Sequence, residues 1–511
     1  VSAAPPPPLV EALKNPACYD HEVGEIRVVE THISWVFLTG TYAYKVKKPV
    51  KLPFLDFSTA ERRKHFCDEE LRLNRRLAAE LYLAVVPIGG TPAAPRVGRE
   101  PAFEHAVKMR QFRDGARLDH ELAAGRVSLA AVLGFADDLA RFHAGLPPLT
   151  AAAMRPAEID AALENLRELD SSPGRTEERA ALDSVRLFTE REGALIESAL
   201  TRRWVSGAYR ECHGDLHLEN LLLYAERIVA FDALEFDPKL RNIDVINETA
   251  FLVMDLAAHG RTDFGYRFLN RYLETTGDYE GLAVLRFYLV ERALIRAKVR
   301  ALRAAQTTAH EDGGARAYLK LAAELAAPAQ PTLVITHGLS GSGKTHVTDE
   351  LLGRLPAVRL RSDLERKRLH GLAADARTHS PVDGGLYAAE VTEETYRRLE
   401  ALAGLALEHG LGTIVDAAFL DAELRSRFRR LAERAGARFR ILECAAPIDV
   451  LRGRIAARGA AGRDASEASG AVLDHQLQRA EALGEDERGS TVTVYTDKQI
   501  DFAAVCRALT R

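Results

Sequence analysis

Residues Gly338 to Thr345 read G-L-S-G-S-G-K-T and follow the apolar run Leu333-Val334-Ile335-Thr336. The pattern G-x-x-x-x-G-K-[ST], set between a strand and a helix, is built to cradle phosphate. Glycines let the backbone approach phosphate oxygens closely, and successive N–H groups converge on an anion at a helix N-terminus. Gly338, Ser340, Gly341, Ser342 and Gly343 are expected to form the cradle. Lys344 is expected to reach the β- and γ-phosphates, and the Thr345 hydroxyl to coordinate Mg²⁺. A second set of groups lies upstream, where His213 to Asn220 read H-G-D-L-H-L-E-N and Phe231-Asp232 closes an apolar run soon after. Asp215 and Asn220 are five apart, so one loop can offer a carboxylate to an acceptor hydroxyl and an amide oxygen to a metal. Asp232, at the end of that run, is a candidate for a further metal-binding carboxylate, with Glu235 or Asp237 in support. One chain thus carries two unrelated sets of groups suited to moving a phosphoryl group.

Other residues extend the C-terminal set. Asp363 sits just after the strand expected at Ala357 to Leu360. Strand ends on this side of an open α/β sheet face the ligand. A carboxylate there can accept the proton of an attacking hydroxyl or anchor the acceptor, although a helix N-cap is the alternative. Asp416 ends the strand Gly412-Thr413-Ile414-Val415 and is suited to holding Mg²⁺ through water, again with a cap as the alternative. Arg454 and Arg458 are four apart and share a helical face. Their rigid donor forks suit a lid that closes over phosphate, and a solvated basic face is the competing reading.

The elements that must position these groups fall into two patterns. Strand-like alternation at Ile26 to Val29, Ser34 to Leu38 and Tyr42 to Val46 is followed by a helical stretch from Thr59 to Leu81 and a strand from Phe103 to Phe112. Helical periodicity then dominates at 129–144, 157–169, 178–200 and 281–303. A polar stretch from Gln306 to Gly314 interrupts it, and Pro328-Ala329-Gln330-Pro331 marks a boundary. Beyond it strands and helices alternate, which argues for a parallel sheet covered on both faces. The expected organisation is a flexible arm (1–17), a first domain (18–327, with lobes 18–112 and 113–327) and a second domain (328–511).

Composition narrows the partners. The chain has 511 residues, 47% of them hydrophobic and 28% charged, and a net charge of -4. That is a globular balance, and it speaks against nucleic acid as a partner. No apolar stretch approaches the ~20 residues of a membrane span. The five cysteines are far apart and form no C-x-x-C pair, so neither a disulfide frame nor a zinc site is indicated. A reducing cytoplasm fits this usage.

The loop from Gly338, with Asp363 and the two arginines, resembles the small P-loop kinases, a group that includes gluconate kinase, the zeta toxins and the polynucleotide 5′-kinases. The resemblance covers about 330–511. It implies that Asp363 engages the acceptor hydroxyl and that Arg454 and Arg458 touch nucleotide phosphate. H-G-D-x-H-x-x-N followed by a strand ending in Asp232 is similar to the aminoglycoside phosphotransferase and choline kinase group, whose fold is protein-kinase-like. That second resemblance covers about 18–327 and includes Leu139-Ala140-Arg141-Phe142-His143-Ala144, in which His143 would support the catalytic loop. It implies Asp215 as base, and a nucleotide lysine on the strand Tyr42 to Lys48. Lys45, Lys47 and Lys48 are all available there, with Lys45 favoured at the strand centre and Glu70 or Glu69 as its partner. Met109 to Phe112 would be the hinge that contacts adenine through the backbone.

The whole resembles bacterial two-kinase fusions: an α+β protein-kinase-like bilobal domain followed by an α/β P-loop kinase domain with a parallel sheet. The implied activity is transfer of the ATP γ-phosphoryl, with Mg²⁺, to hydroxyl groups of small polar metabolites. Two alternatives stand: one half senses nucleotide and regulates the other, or the P-loop half phosphorylates polynucleotide 5′-hydroxyls. The sequence does not fix the acceptors or the oligomeric state.

Overall fold

A computed structural model describes residues 7–52, 55–150, 158–170, 178–306, 313–374, 376, 384, 388–461 and 470–511. The chain divides into two compact units, Val1–Met154 with Trp204–Leu252, and Arg155–Arg203 with Val253–Arg511.

The first unit is built on a six-stranded antiparallel sheet. Its spatial order is Arg27–Glu30, Ser34–Leu38, Tyr42–Lys47, Ala102–Arg110, Tyr82–Thr91 and Ala94–Val97. Side chains alternate across a strand with period two. Tyr44 and Val46 therefore face a core with Trp35 and Phe37. Ala43 faces the opposite way, into a cluster with Cys67, Ala78 and Val107. The helix Ala60–Ala78 supplies Cys67 and Ala78, and it starts where the Thr59 side chain accepts a hydrogen bond from the Arg62 N–H. By the same parity Lys45 and Lys47 point to the helix side. The stretch expected as a flexible arm is folded from Pro8 onward. Pro8–Ala12 is a short helix, and Val10, Leu13 and Cys18 are buried in the Trp35 cluster. Three apolar side chains that leave water together outweigh the local chain entropy.

The rest of this unit frames a loop. Tyr209–Glu211 pairs with Asn242–Asp244, and the hairpin Leu221–Tyr224 with Arg227–Ala230 follows the loop 212–220. The helix Leu129–Gly145, capped by Ser128, packs beside the hairpin.

In the second unit five strands form a wholly parallel sheet in the order Ala357–Arg361, Gly412–Asp416, Thr332–His337, Arg438–Ala445, Thr491–Tyr495. Its core mixes Val334, Ile414 and Leu442 with Val347 and Leu351 of the helix Lys344–Leu352. The helices Glu158–Asp170, Thr262–Thr276, Leu282–Gln306 and Gly313–Ala326 belong to the same unit. Arg292 and Arg296, which periodicity leaves free to form a basic face, are buried. The Arg296 guanidinium lies 5.4 Å from the ring centroid of Tyr318. Among the described residues no helix is long and apolar enough to cross a membrane.

Candidate active sites

In the first unit the strand Tyr42–Lys47 and the helix Ala60–Ala78 bring two lysines to one carboxylate. Lys45 Nζ lies 2.8 Å from Glu70 Oε1, and Lys47 Nζ lies 2.7 Å from Glu70 Oε2. Lys45 also pairs with Asp232 at 2.5 Å, and Lys47 pairs with Glu235. Of the two partners weighed for Lys45, Glu70 is the one in contact. Glu69 turns away and pairs with Arg72 at 2.8 Å. Lys48 pairs instead with Glu30 at 2.6 Å. Glu235, read from sequence as a support for Asp232, serves Lys47. Met109 is buried near the end of the strand Ala102–Arg110, in register with Ala43 and Tyr82, so its side chain is core packing.

Burial governs the charges here. It lowers the Lys45 pKa, but Asp232, Glu70 and Glu235 more than offset this and hold the ammonium well above its ordinary range. Burial also pushes the Glu70 carboxyl up, and the opposing pull of Lys45 and Lys47 brings it down to about 2. Glu235, buried and close to Glu70, is shifted upward despite Lys47.

Asp215 and Asn220 meet across their loop. Asn220 Nδ2 donates to Asp215 Oδ2 at 2.8 Å and to the Asp215 carbonyl at 3.0 Å. His217 accepts from the Glu219 N–H through Nδ1 at 3.2 Å, which leaves its Nε2–H to donate to Asp215 Oδ2, also at 3.2 Å. The Asp215 carboxylate is thus held from two sides. Asp232 adopts φ 63°, a left-handed conformation that aspartate tolerates better than most residues. Its N–H donates to the Tyr82 hydroxyl at 3.1 Å, and the next N–H, of Ala233, donates to Asn74 Oδ1 at 2.9 Å.

Beneath the loop lies Glu248, fully buried. Its Oε1 accepts the N–H groups of His213 and Gly214 at 2.6 and 2.7 Å. Its Oε2 lies 2.8 Å from His143 Nε2. Gly214 is required at its position: φ is 90°, and a Cβ would stand 2.7 Å from the Leu240 carbonyl oxygen. Burial holds the His213 pKa below the usual histidine range. The neutral ring accepts from the Asp215 N–H at Nδ1 and donates to the Phe231 carbonyl at Nε2, 2.9 Å away.

In the second unit the glycine loop links the strand Thr332–His337 to the helix Lys344–Leu352. Gly338 has φ 150°, and a Cβ on it would stand 2.5 Å from the Cys444 carbonyl oxygen. Lys344 Nζ donates to the carbonyls of Gly338 and Leu339 at 2.8 and 2.9 Å. The Thr345 hydroxyl donates to Asp416 Oδ2 at 2.8 Å. The Ser340 N–H donates to Gln476 Oε1 at 2.8 Å. Gly341, Gly343, Lys344, Thr345, Asp363 and Asp416 line one cavity of about 780 Å³. Asp363 lies in the first turn of Ser362–Leu369, not at its N-cap, and contacts Arg366 at 3.2 Å. Arg454 donates to Thr496 Oγ1 and to the Thr496 carbonyl, both at 2.8 Å, and so braces the loop. The side chain of Arg458 lies outside the described residues.

Both oxygen-rich sets suit Mg²⁺, which binds hard oxygen donors. Thr345 with Asp416 would hold it in one unit, and Asn220 with Asp232 in the other. Sequence reasoning weighed Lys47 only as an alternative to Lys45, and it missed Asn74 and Tyr82. Asn74 carries a usable signal, since it is four along a helix from Glu70.

Fold and sites define the class: an α+β half built on an antiparallel sheet with a buried lysine–glutamate pair, joined to an α/β P-loop half with a wholly parallel sheet, a chain of phosphotransferase kind. Residues 333–483 match the family described as an AAA domain. The protein named Uncharacterized protein Rv2004c, from Mycobacterium tuberculosis, is 31% identical over 466 residues, which cover 89% of this chain and 91% of that one. The chain belongs to the family of this mycobacterial protein. An adenylyl-sulfate kinase of Myxococcus xanthus is 37% identical over 118 residues, 23% of this chain and 59% of that protein. The solved choline kinase of Cryptosporidium parvum aligns at a TM-score of 0.38 with 12% identity, over 64% of this chain and 91% of its own.

Proposed function

We propose that this chain is a bifunctional ATP-dependent kinase whose two centres each move a γ-phosphoryl group to a hydroxyl of a small polar metabolite. The observation that carries the reading is that each half holds a charged lysine and acidic oxygen donors together around its own loop. Loose phosphoryl-transfer transition states need positioning and charge neutralisation more than covalent help.

In the first centre Lys45, fixed by Glu70, binds nucleotide phosphate. Asp215, oriented by His217 and Asn220, receives the proton of the acceptor hydroxyl. Asn220 and Asp232 hold the metal. In the second centre the backbone N–H groups from Gly338 to Thr345 and the Lys344 ammonium bind phosphate. Thr345 and Asp416 hold the metal, Asp363 orients the acceptor, and Arg454 with Arg458 closes over the phosphates. Mg²⁺, when bound, neutralises the charge on the β- and γ-phosphate oxygens.

The test is transfer from γ-radiolabelled ATP to a set of small hydroxyl compounds by the full-length protein. Wild type is compared with Asp215→Ala, Lys344→Ala and the double variant. Loss of different acceptors in the two single variants is the expected result. Transfer unchanged in the double variant would sink the proposal, and loss in only one variant would make the other half regulatory.

A further inference from the structure

One edge of the parallel sheet is covered by chain that precedes the P-loop segment. Among the described residues the strand Ala357–Arg361 pairs only with Gly412–Asp416, so the backbone groups on its outer side need other partners. They find them on the helix Thr262–Thr276 and the turn after it. Asn270 donates to the Ala357 carbonyl at 2.9 Å and accepts the Arg359 N–H at 2.6 Å. The Tyr279 hydroxyl donates to the Arg359 carbonyl at 3.4 Å. Asn270 and Tyr279 are buried, and both lie in the same compact unit as the sheet.

Charged side chains carry this contact into the cavity. Glu274, one helical turn beyond Asn270, accepts from Arg359 Nη2 and Nε at 2.7 and 3.0 Å. Its other oxygen lies 3.8 Å from Arg361 Nη1. Arg361 Nε is in turn 3.9 Å from Asp416 Oδ2, the oxygen that accepts the Thr345 hydroxyl. Arg361 therefore stands between two carboxylates at nearly equal distances. A cation held by two anions moves toward the one that remains when the other is neutralised.

We propose that Glu274 is a positioning residue of the P-loop centre. By sharing Arg361 it keeps that guanidinium from closing on Asp416, and so leaves the Asp416 carboxylate free to take a metal. Asn270 and Tyr279 fix the strand that carries Arg361. This rests on the reading of Thr345 and Asp416 as the metal pair. It makes the P-loop centre dependent on a helix that lies outside residues 333–483, the span that matches the AAA family.

The experiment is Mn²⁺ binding to the full-length protein with a non-hydrolysable ATP analogue, followed by the EPR signal of free Mn²⁺. The binding lost in Thr345→Ala belongs to the P-loop centre. Glu274→Gln is expected to weaken that class of binding roughly threefold or more, the scale of one partly exposed ion pair. Arg361→Gln is expected to strengthen it, and adding Arg361→Gln to Glu274→Gln to bring it back toward wild type. A merely structural role for Glu274 would lower the amount of competent protein without this opposition. If Thr345→Ala loses no Mn²⁺, the metal-pair reading itself fails. If Thr345→Ala does lose Mn²⁺ but Arg361→Gln leaves the remaining affinity unchanged or weaker, the positioning role is overturned, even where Glu274→Gln does not fold.

Discussion

The carboxylate of Glu70 lies 2.7 Å from the ammonium of Lys47, and both side chains are sealed from solvent. The same carboxylate holds Lys45, so a single acid fixes two buried cations.

Glu70→Gln should therefore be costly. It leaves Lys45 and Lys47 with less compensating charge inside the protein, and breaking a buried pair costs about 3–5 kcal/mol. The sign with pH follows from the Glu70 pKa, depressed to about 2. Its stabilisation is complete above the unfolded carboxyl value of about 4.3. It is lost as pH falls from there through the folded value. Denaturant unfolding from pH 7 to pH 2 should show a steeper acid loss in wild type than in Glu70→Gln. Parallel curves would contradict the assignment.

Asp215→Ala should separate binding from chemistry. Asp215 makes no ion pair with Lys45, whose carboxylate partners are Glu70 and Asp232. Nucleotide affinity should hold within a few-fold, while transfer to the acceptor of the first centre falls about 10²–10⁴-fold, the usual range for a general base. Calorimetric titration with an ATP analogue beside the γ-label assay reads both. Transfer that persists at the wild-type rate removes Asp215 from this role.

Glu248→Ala should loosen the loop from below. It strands the buried N–H groups of His213 and Gly214, and each orphaned donor costs about 1–3 kcal/mol. Glu248→Gln keeps one acceptor oxygen and should recover part of the loss. Burial raises the Glu248 pKa, yet the His143 hydrogen bond and its charge bring it below the ordinary value. Its contribution is thus present at neutral pH and fades on acidification through that depressed pKa. Thermal melts of wild type and both variants at pH 7 and pH 4 test this: the gap between wild type and Glu248→Ala should narrow at the lower pH, and equal melting temperatures for Ala and Gln would count against the role.

Lys344→Ala should abolish transfer to the acceptor of the second centre and leave the first untouched. Chelating divalent ions should stop both without unfolding either, since the clusters packed on the two sheets are held by apolar side chains. Circular dichroism beside the transfer assay distinguishes loss of metal from loss of fold.

The two loops are legible from residue order alone, because phosphate cradling and base-with-metal pairing need residues at fixed short spacing. The strand alternation around Lys45 and the alternating pattern after Pro331 are legible too, since both are periodic. The strand Tyr82–Thr91 escaped notice, as did Thr491–Tyr495 at the far edge of the parallel sheet. Tyr82–Thr91 contains Pro87, Gly89 and Gly90, which mask a strand signal. Which charges meet is set by long-range packing. Glu235 reaches Lys47 across 188 residues, and Glu274 reaches Arg359 across 85. Such pairings leave no local trace, because they depend on packing that brings distant segments together. Arg292 and Arg296, on the periodic stretch 281–303, are buried by neighbours that sequence periodicity does not specify.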